Sequence, residues 1–492
     1  MMVDAKAKSS GYLGEFKARK IGLIVGVIVF IILLIMPTPN GLTLLGQKVL
    51  AVSVLMVIFW MTEAIPIPIT ALLPILLYPI LGITGSKGQN DILLFTHYAY
   101  PTVYLVLGVG FLATAMERWG LHRRIALGIV MKVGSKPSRI ILGFILATAV
   151  VSMWMSNTTA TAMMLPVAIS IIMTMDKQMS AGFKKALMLS IPFAATMGGL
   201  STVIGTTTNP TGIGIIRETL GVELDFLEWL KIGLPFTLVM IPLMWVYFVK
   251  FYKVDKLDNI NVDVVKEEYE ALGPMNKGEK LTSAIFIVSV LLWVTRSLWK
   301  SYVPFATDET IAIAIAIATM VLPVDYKKGI YVLSGKEALS KAPWGTMLLL
   351  GGSMVMGNAF TDAGCAQWVA GNLSALSNMP QIVIIIAVGV VTAILTEVTT
   401  NAVVVASFLP VLASIGQGIG MDPLQLMLTC MIASNFAFML PPGTPPNAIA
   451  YSSGAFEISD MMKAGLGLKI IGLIVFPLLM YFVTFGIFNV GM

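Results

Sequence analysis

MWMSNTTATAMMLPVA, Met153 to Ala168, sets four small polar residues, Ser156, Asn157, Thr158 and Thr159, into a run that is otherwise apolar and carries no charge. In hydrocarbon, non-helical backbone is tolerated only where protein or a water-filled cavity satisfies its amides and carbonyls. Such a polar interruption reads as a helix break that holds something, and its setting decides what.

The setting is a membrane. The chain has 492 residues, 57% of them hydrophobic and only 12% charged, where soluble domains run near ~25% charged; its mean hydropathy is +0.88. The composition predicts an all-α polytopic membrane protein. Residues 21–36 form an apolar run behind basic residues, a first anchor rather than a cleaved signal. About 11 transmembrane helices are expected, at 21–36, 44–61, 65–83, 101–118, 186–215, 232–252, 281–299, 309–323, 343–360, 423–453 and 466–487. Two further apolar stretches, 139–175 and 381–416, are interrupted near the middle and read as re-entrant hairpins.

With the N-terminus inside, 24 Lys and Arg residues fall on inner segments and 4 on outer loops. This positive-inside bias predicts a multi-pass plasma-membrane protein with a cytoplasmic N-terminus and an extracytoplasmic C-terminus. It explains the net charge of +6 without a nucleic-acid partner. One hairpin must then enter from the inside and the other from the outside.

The polar connection 253–280 divides the chain almost in half. SNTTATAMMLPVA (156–168) precedes it and TNAVVVASFLPVL (400–412) follows, with Asn157 and Asn401 separated by 244 positions, as are Pro166 and Pro410. Gly205-Thr206-Thr207-Thr208-Asn209 pairs likewise with Gly443-Thr444-Pro445-Pro446-Asn447, their asparagines 238 apart. Two motifs in the same order at nearly one offset predict an internal duplication. The opposed hairpins make it an inverted-topology repeat, a transporter signature in which the breaks mark the binding site. The expected organisation is a cytoplasmic segment (1–20), a first repeat (21–252, hairpin 139–175, broken helix 186–215), a linker (253–280) and a second repeat (281–492, hairpin 381–416, broken helix 423–453).

The breaks also state their chemistry. Helix N-termini meeting at mid-membrane favour an anion, while carbonyl ends and side-chain oxygens favour a small cation such as Na⁺. Ser152 and Thr396, one turn before Ser156 and Thr400, add a hydroxyl on the same face. Two such halves suit an elongated molecule with an anionic group at each end. No Asp, Glu, Lys or Arg occurs in 140–175, 186–216 or 423–456, and 381–416 contains only Glu397. A dianion there lacks an arginine clamp, so bound cations are the expected compensation. Glu397 has two readings: support of the hairpin tip through backbone N–H groups, or cation or proton coupling. Glu63 reads as a cap or interfacial residue, His97 and His122 as surface or interfacial residues, and Cys365 and Cys430 as neither disulfide nor zinc ligands.

On Ser156-Asn157-Thr158, Thr400-Asn401-Ala402, Gly205 to Asn209 and Gly443 to Asn447, the chain resembles the divalent anion/sodium symporters, the INDY-type dicarboxylate transporters, over about residues 20 to 490. The resemblance implies a homodimer with a scaffold and a mobile transport region that moves as an elevator. It implies that Ser156, Asn157, Thr158, Thr400 and Asn401 bind the substrate carboxylates, with Thr206, Thr444 and Pro445 nearby. It further implies a first sodium site at Ser152, Ser156, Asn157 and Gly205, and a second at Thr396, Thr399, Asn401 and Gly443. The chain departs from the family pattern at Ala402, where a threonine is usual, and at Thr207-Thr208, where a proline pair is usual.

The expected function is secondary transport of C4 to C5 dicarboxylates (succinate, malate, fumarate, 2-oxoglutarate), coupled to Na⁺ and needing no cofactor. Sodium-independent exchange within the same family is the alternative, and an inorganic or metalloid anion permease a more distant one. A channel would show rings of polar residues along a pore. An intramembrane enzyme would need a nucleophile with a nearby base, which Ser156 lacks.

Overall fold

The computed structural model describes residues 2–83, 92–173, 181–254, 263–372 and 379–481. The chain opens with α1 (Met2–Ile35) and α2 (Leu44–Thr62), then the short α3 (Ile67–Thr70) and α4 (Leu73–Ile80), then α5 (Ile92–Thr96) and α6 (Pro101–Arg118). A surface helix, α7 (Leu121–Val133), leads into a first hairpin of α8 (Pro137–Ser152) and α9 (Asn157–Met173). Next come the broken pair α10 (Ala181–Leu200) and α11 (Thr208–Leu220), then α12 (Phe226–Phe251) and α13 (Asp263–Ala271). They are followed by α14 (Lys277–Trp299), α15 (Asp308–Val321), a small antiparallel ribbon of β1 (Pro323–Asp325) and β2 (Ile330–Tyr331), α16 (Gly335–Lys341), α17 (Trp344–Asp362) and α18 (Cys365–Asn372). A second hairpin, α19 (Gln381–Leu395) and α20 (Asn401–Ile419), precedes the broken pair α21 (Pro423–Ala433) and α22 (Pro445–Ser452), and α23 (Ile458–Leu479) follows.

Side-chain caps fix several helix starts where the chain leaves polar loops. Thr43 accepts from Gly46 N, Asn276 from Glu279 N and Thr307 from Thr310 N, and Asp225 with Glu228 closes a capping box on α12. Among the described residues, six helical stretches are long and apolar enough to cross a membrane. The apolar helices Pro137–Ser152, Asn157–Met173, Gln381–Leu395 and Pro423–Ala433 are shorter, each with one end at a point where the chain interrupts it.

Three expectations shift. Residues 65–83, read as one span, are the two helices α3 and α4. Proline at the first turn of each forces a restart, and the freed Ala71 carbonyl accepts the Tyr98 hydroxyl at 2.5 Å. Both helix breaks begin earlier than their glycines, spanning 201–207 and 434–444. The Thr202 hydroxyl bonds the Met153 carbonyl of the first hairpin, and Thr396 and Glu397 of the second bond the Ser434 carbonyl and the 438–440 amides. The linker 253–280 contains α13 and the first turn of α14, held to α7 by Arg123–Glu268 at 3.1 Å and by Arg124–Glu279. Residues 174–175 of the expected first hairpin, 255–262 of the linker and 482–487 of the expected last span lie outside the described residues.

His122, read as a surface or interfacial residue, is buried, with Nδ1 3.1 Å from the Met116 carbonyl, and burial lowers its pKa from the ordinary imidazole value. The Glu279 side chain is only 4% exposed, and Arg124 is its charged partner among the described contacts. Arg124→Met is therefore expected to destabilise by about 3–5 kcal/mol, the usual effect of stranding one member of a buried pair. Thermal unfolding in detergent checks this, and Arg124→Met/Glu279→Gln is expected to recover much of the loss.

The helices gather into two groups. α6, α14 and α15 pack together on one side, with α2, α3 and α17 beside them; α8, α9, α10, α12 and α19 to α23 form the other. α11 and α20 lie against α17 along the seam. Close approaches rest on glycine, as in membrane proteins generally: a Cβ on Gly108 (α6) would sit 2.5 Å from the Ala312 carbonyl oxygen of α15, and one on Gly198 (α10) 2.3 Å from that of Ala149 on α8.

Candidate functional site

The first hairpin turns at Ser156, whose Oγ accepts Thr159 N at 3.2 Å and lies 2.9 Å from Thr159 Oγ1, so the serine caps α9. Behind the tip, one terminal atom of the Asn157 amide lies 2.7 Å from Ser152 Oγ, 3.0 Å from Ala195 O and 3.2 Å from Gly205 O. With nitrogen in that place the amide donates to both carbonyls. With oxygen in that place, four oxygens crowd one point, an arrangement that a shared cation stabilises. Gly199 leaves the room: a Cβ there would meet the Asn157 amide at 2.1 Å.

The second hairpin repeats this plan. Thr396, 244 positions after Ser152, places Oγ1 2.6 Å from Asn401 Oδ1 and 2.7 Å from Ser434 O. Its single proton serves one of them, so oxygens again converge. The broken helices correspond as closely. Asn209 Nδ2 donates to Gly199 O at 3.0 Å and Thr202 O at 2.7 Å. Asn447 Nδ2 donates to Ala437 O at 2.9 Å and Leu440 O at 3.1 Å, the carbonyls 238 positions later.

Between the two tips lies a cavity of about 350 Å³, at the small end of the ~300–1,000 Å³ usual for small-molecule sites. Ser156, Asn157, Thr158 and Thr206 line it from one half, and Thr400, Asn401, Thr444 and Pro445 from the other. All eight residues expected at a substrate site thus meet around one space. Among the described residues, its lining includes no Asp, Glu, Lys or Arg. Four helices begin on it, α9 at Asn157, α11 at Thr208, α20 at Asn401 and α22 at Pro445. The positive dipole ends of all four converge there, an environment for an anion. Free N–H groups stand at the starts of α9 and α20, whereas α22 opens on Pro445 and Pro446 and Thr444 Oγ1 takes the Asn447 N–H.

Of the residues expected at cation sites, Ser152, Asn157 and Gly205 gather behind the first tip, and Thr396, Asn401 and Gly443 behind the second, where the Thr396 carbonyl oxygen would be 3.2 Å from a Cβ on Gly443. Ser156 faces the cavity. The Thr399 hydroxyl turns away, toward the Trp60 carbonyl on α2 at 3.5 Å. The second cluster consists of hydroxyl, amide and carbonyl oxygens, and the first does so when Asn157 turns its amide oxygen inward. This is the donor set of a hard monovalent cation, with α8 and α19 ending beside the clusters.

Sequence reasoning missed three parts of the surroundings. Gly345, Thr346 and Leu349 of α17, with Ile67 and Pro68 of the α3 start, form the opposite wall; nothing in their apolar runs distinguished them. Lys469 is a lone lysine in the apolar run 466–481, a signal that was present: its ammonium lies 2.5 Å from Glu397 Oε1, and both residues are buried. Glu397 itself accepts from Phe438, Met439 and Leu440 N at 2.9–3.1 Å. It supports the neighbouring helix break and not the tip of its own hairpin.

A second cavity of about 450 Å³ shares Ser156, Thr206 and Thr207 with the first and reaches Glu117 and Lys341, at the C-terminal end of α6. At the other end of α6 the seam is closed by polar contacts from α11. Arg217 pairs with Glu309 at 3.1 Å, and Glu218 meets Asn358 Nδ2 at 2.6 Å and His97 Nε2 at 3.4 Å. The hydrogen bond from His97 leads the effects that hold the Glu218 carboxyl down at about 2. His97, read as surface or interfacial, is instead a partner in this closure.

A family profile described as the sodium:sulfate symporter transmembrane region matches residues 17–488. The sodium-dependent dicarboxylate transporter SdcS of Staphylococcus aureus is 35% identical over 477 residues, covering 94% of this chain and 91% of that protein. Its namesake from Staphylococcus saprophyticus is 33% identical over the same shares. Among solved structures, Neisseria gonorrhoeae MtrF, described within a class of antimetabolite efflux pumps, aligns with a TM-score of 0.55 at 12% identity over 94% of each chain. The Alcanivorax borkumensis YdaH transporter aligns with a TM-score of 0.53 at 12% identity over 80% of this chain and 88% of that one. These two likenesses are of fold alone.

Proposed function

We propose, from the premise that this chain belongs to the sodium:sulfate symporter family, the divalent anion/sodium symporters, that it carries C4 to C5 dicarboxylates such as succinate, malate, fumarate and 2-oxoglutarate across the plasma membrane together with Na⁺. The chain is a membrane transporter and not an enzyme. One observation carries the substrate class: four helix N-termini open on a small cavity whose lining, among the described residues, has no charged side chain. Two pairs of helix starts, one from each half, suit a carboxylate at each end of a short molecule. Such a site attracts a dianion but leaves its charge incompletely compensated, and the two oxygen clusters behind the tips are where Na⁺ would complete it. Ser152, Asn157 and Gly205 hold the first ion, and Thr396, Asn401 and Gly443 the second.

In this reading the chain is an inverted repeat and works as a homodimer. The group of α8 to α12 and α19 to α23 is the transport body, and the group around α6, α14, α15 and α17 is the scaffold. The transport body moves as an elevator, with the N-terminus in the cytoplasm and the C-terminus outside. The cavity reaching Glu117 and Lys341 is then the cytoplasmic vestibule, and the contacts of Arg217 and Glu218 close the outer face.

Exchange without Na⁺ is the second reading. It draws on Ala402, which lines the cavity where Thr158 does in the other half and so withholds one hydroxyl from the substrate. Purified protein in liposomes separates the two. Under symport, [¹⁴C]succinate accumulates in empty vesicles in proportion to an inward Na⁺ gradient. Uptake that requires internal dicarboxylate and ignores Na⁺ would replace symport with exchange, and inhibition by sulfate but not by succinate would overturn the substrate class.

A further inference from the structure

The two cation clusters are built alike but braced differently. Behind the second, the break 434–444 leaves Phe438, Met439 and Leu440 N–H groups outside any helix, and the Glu397 carboxylate accepts all three at 2.9–3.1 Å. Glu397 follows Thr396 directly, and its Oε2 would stand 3.3 Å from a Cβ on Gly443. The carboxylate therefore sits against two of the three residues assigned to that site. Lys469 of α23 pins it from behind at 2.5 Å, and the same ammonium donates to the Ala393 carbonyl at 2.7 Å, tying α19 to α23.

Among the described residues, the first half has no such pair at the matching positions. The position of Glu397 corresponds, 244 residues earlier, to Met153, whose backbone carbonyl accepts the Thr202 hydroxyl at 2.5 Å. Lys469 stands one turn after Gly465, whose Cβ would strike the Phe438 carbonyl oxygen at 2.3 Å. Gly233 makes the same approach to the Leu200 carbonyl, at 2.4 Å, and one turn after it stands Thr237. Thr237 donates to Met197 O at 2.7 Å and accepts from Ser201 Oγ at 2.9 Å. Neutral hydrogen bonds in the first half thus occupy the places taken by an ion pair in the second.

We propose that Glu397 and Lys469 are positioning residues of the second cation site, with Lys469 fixing the carboxylate that shapes the 438–440 backbone beside Thr396, Asn401 and Gly443. The proposal rests on the Na⁺-coupled reading above. The carboxylate does two things at once: it holds the carbonyls of the break in place and adds negative potential beside the ion. The ammonium holds the carboxylate to one orientation and cancels its net charge, so the site keeps a directed field without an uncompensated acid. The two sites are consequently unequal, and only the second depends on side-chain charge.

The test uses full-length protein in liposomes and in detergent, with NaCl replaced stepwise by choline chloride. Wild-type protein is expected to show Na⁺-stimulated succinate uptake and a Na⁺-dependent rise in melting temperature. Glu397→Gln is expected to raise the Na⁺ concentration for half-maximal uptake by about 10- to 100-fold, the usual penalty for removing a group that orients metal ligands. The Hill coefficient for Na⁺ is expected to fall toward one, and KM for succinate at saturating Na⁺ to change little. Lys469→Met is expected to lower stability by leaving the acid alone, and Glu397→Gln/Lys469→Met to recover stability while keeping the raised Na⁺ requirement. A double variant with both wild-type stability and wild-type Na⁺ dependence shows the pair to be a structural tie only and overturns the proposal. A wild type indifferent to Na⁺ removes the coupled reading and this proposal together.

Discussion

Asn157→Ala and Asn401→Ala should each reduce transport to the level of empty vesicles while leaving a folded protein. Each asparagine occupies a shared position. Its backbone starts the helix that faces the cavity, and its amide belongs to the oxygen cluster behind the tip. Truncation removes a ligand from the proposed anion and cation sites at once. A hydrogen bond to a charged group is worth ~1.5–3 kcal/mol, so losing one on each side amounts to several powers of ten in combined occupancy. Folding should suffer less, because each hairpin keeps its backbone and helix start when only the side-chain amide is removed. The measurement is paired: uptake in liposomes, and the melting temperature with and without succinate and Na⁺. Wild-type protein should gain about 2.7 kcal/mol of stability at a ligand concentration 100 times its Kd, and the variants should gain almost none. Normal uptake by either variant would remove these asparagines from the site.

The neighbouring glycines Gly198 and Gly199 should separate fold from function. A Cβ on Gly198 would lie 2.3 Å from Ala149 O and 2.5 Å from its Cα, backbone of α8 that cannot swing aside. Gly198→Ala must push α10 from α8, and overpacking of this kind costs about 1–3 kcal/mol or more. A lower melting temperature and reduced yield are expected. A Cβ on Gly199 would instead meet the Asn157 amide at 2.1 Å and the Gly205 carbonyl oxygen at 3.0 Å. The side-chain amide can move, so Gly199→Ala should fold better than Gly198→Ala yet transport no better than Asn157→Ala. A Gly199→Ala protein with normal Na⁺-dependent uptake would contradict the assignment of the first cluster.

Much of this site was legible from the chain because membranes make polar residues conspicuous. Ser156, Asn157, Thr400 and Asn401 stand out against hydrocarbon-grade neighbours, and the equal spacing of the two sets tied them to each other. All eight residues expected around the substrate line one cavity. What stayed hidden obeys the same physics in reverse. Leu349 and Ile67 form a wall of the cavity but are indistinguishable from lipid-facing residues in an apolar run. The split between α3 and α4 was masked because its prolines sit in a stretch as oily as any span. Thr399 shows a finer limit: a hydroxyl next to a site in sequence points by its rotamer and backbone, here toward Trp60. Glu397 stood out as the lone acid of its apolar run, but its partners, the 438–440 amides and Lys469, lie 41 to 43 and 72 residues away and only the fold brings them together.

The uncharged lining also has an electrical meaning. A binding site made of peptide dipoles, amides and hydroxyls has no proton to lose or gain near neutral pH, and the buried Glu397–Lys469 pair beside it sums to zero. In the elevator reading, the empty transport site therefore crosses the membrane field as a neutral object. An elementary charge moved through 100 mV exchanges about 2.3 kcal/mol with the field, and here only the passengers carry it. Membrane voltage then acts on the loaded crossing alone, in proportion to how far the bound cations outnumber the charges of the dianion, while the unloaded return runs at a rate the voltage does not set.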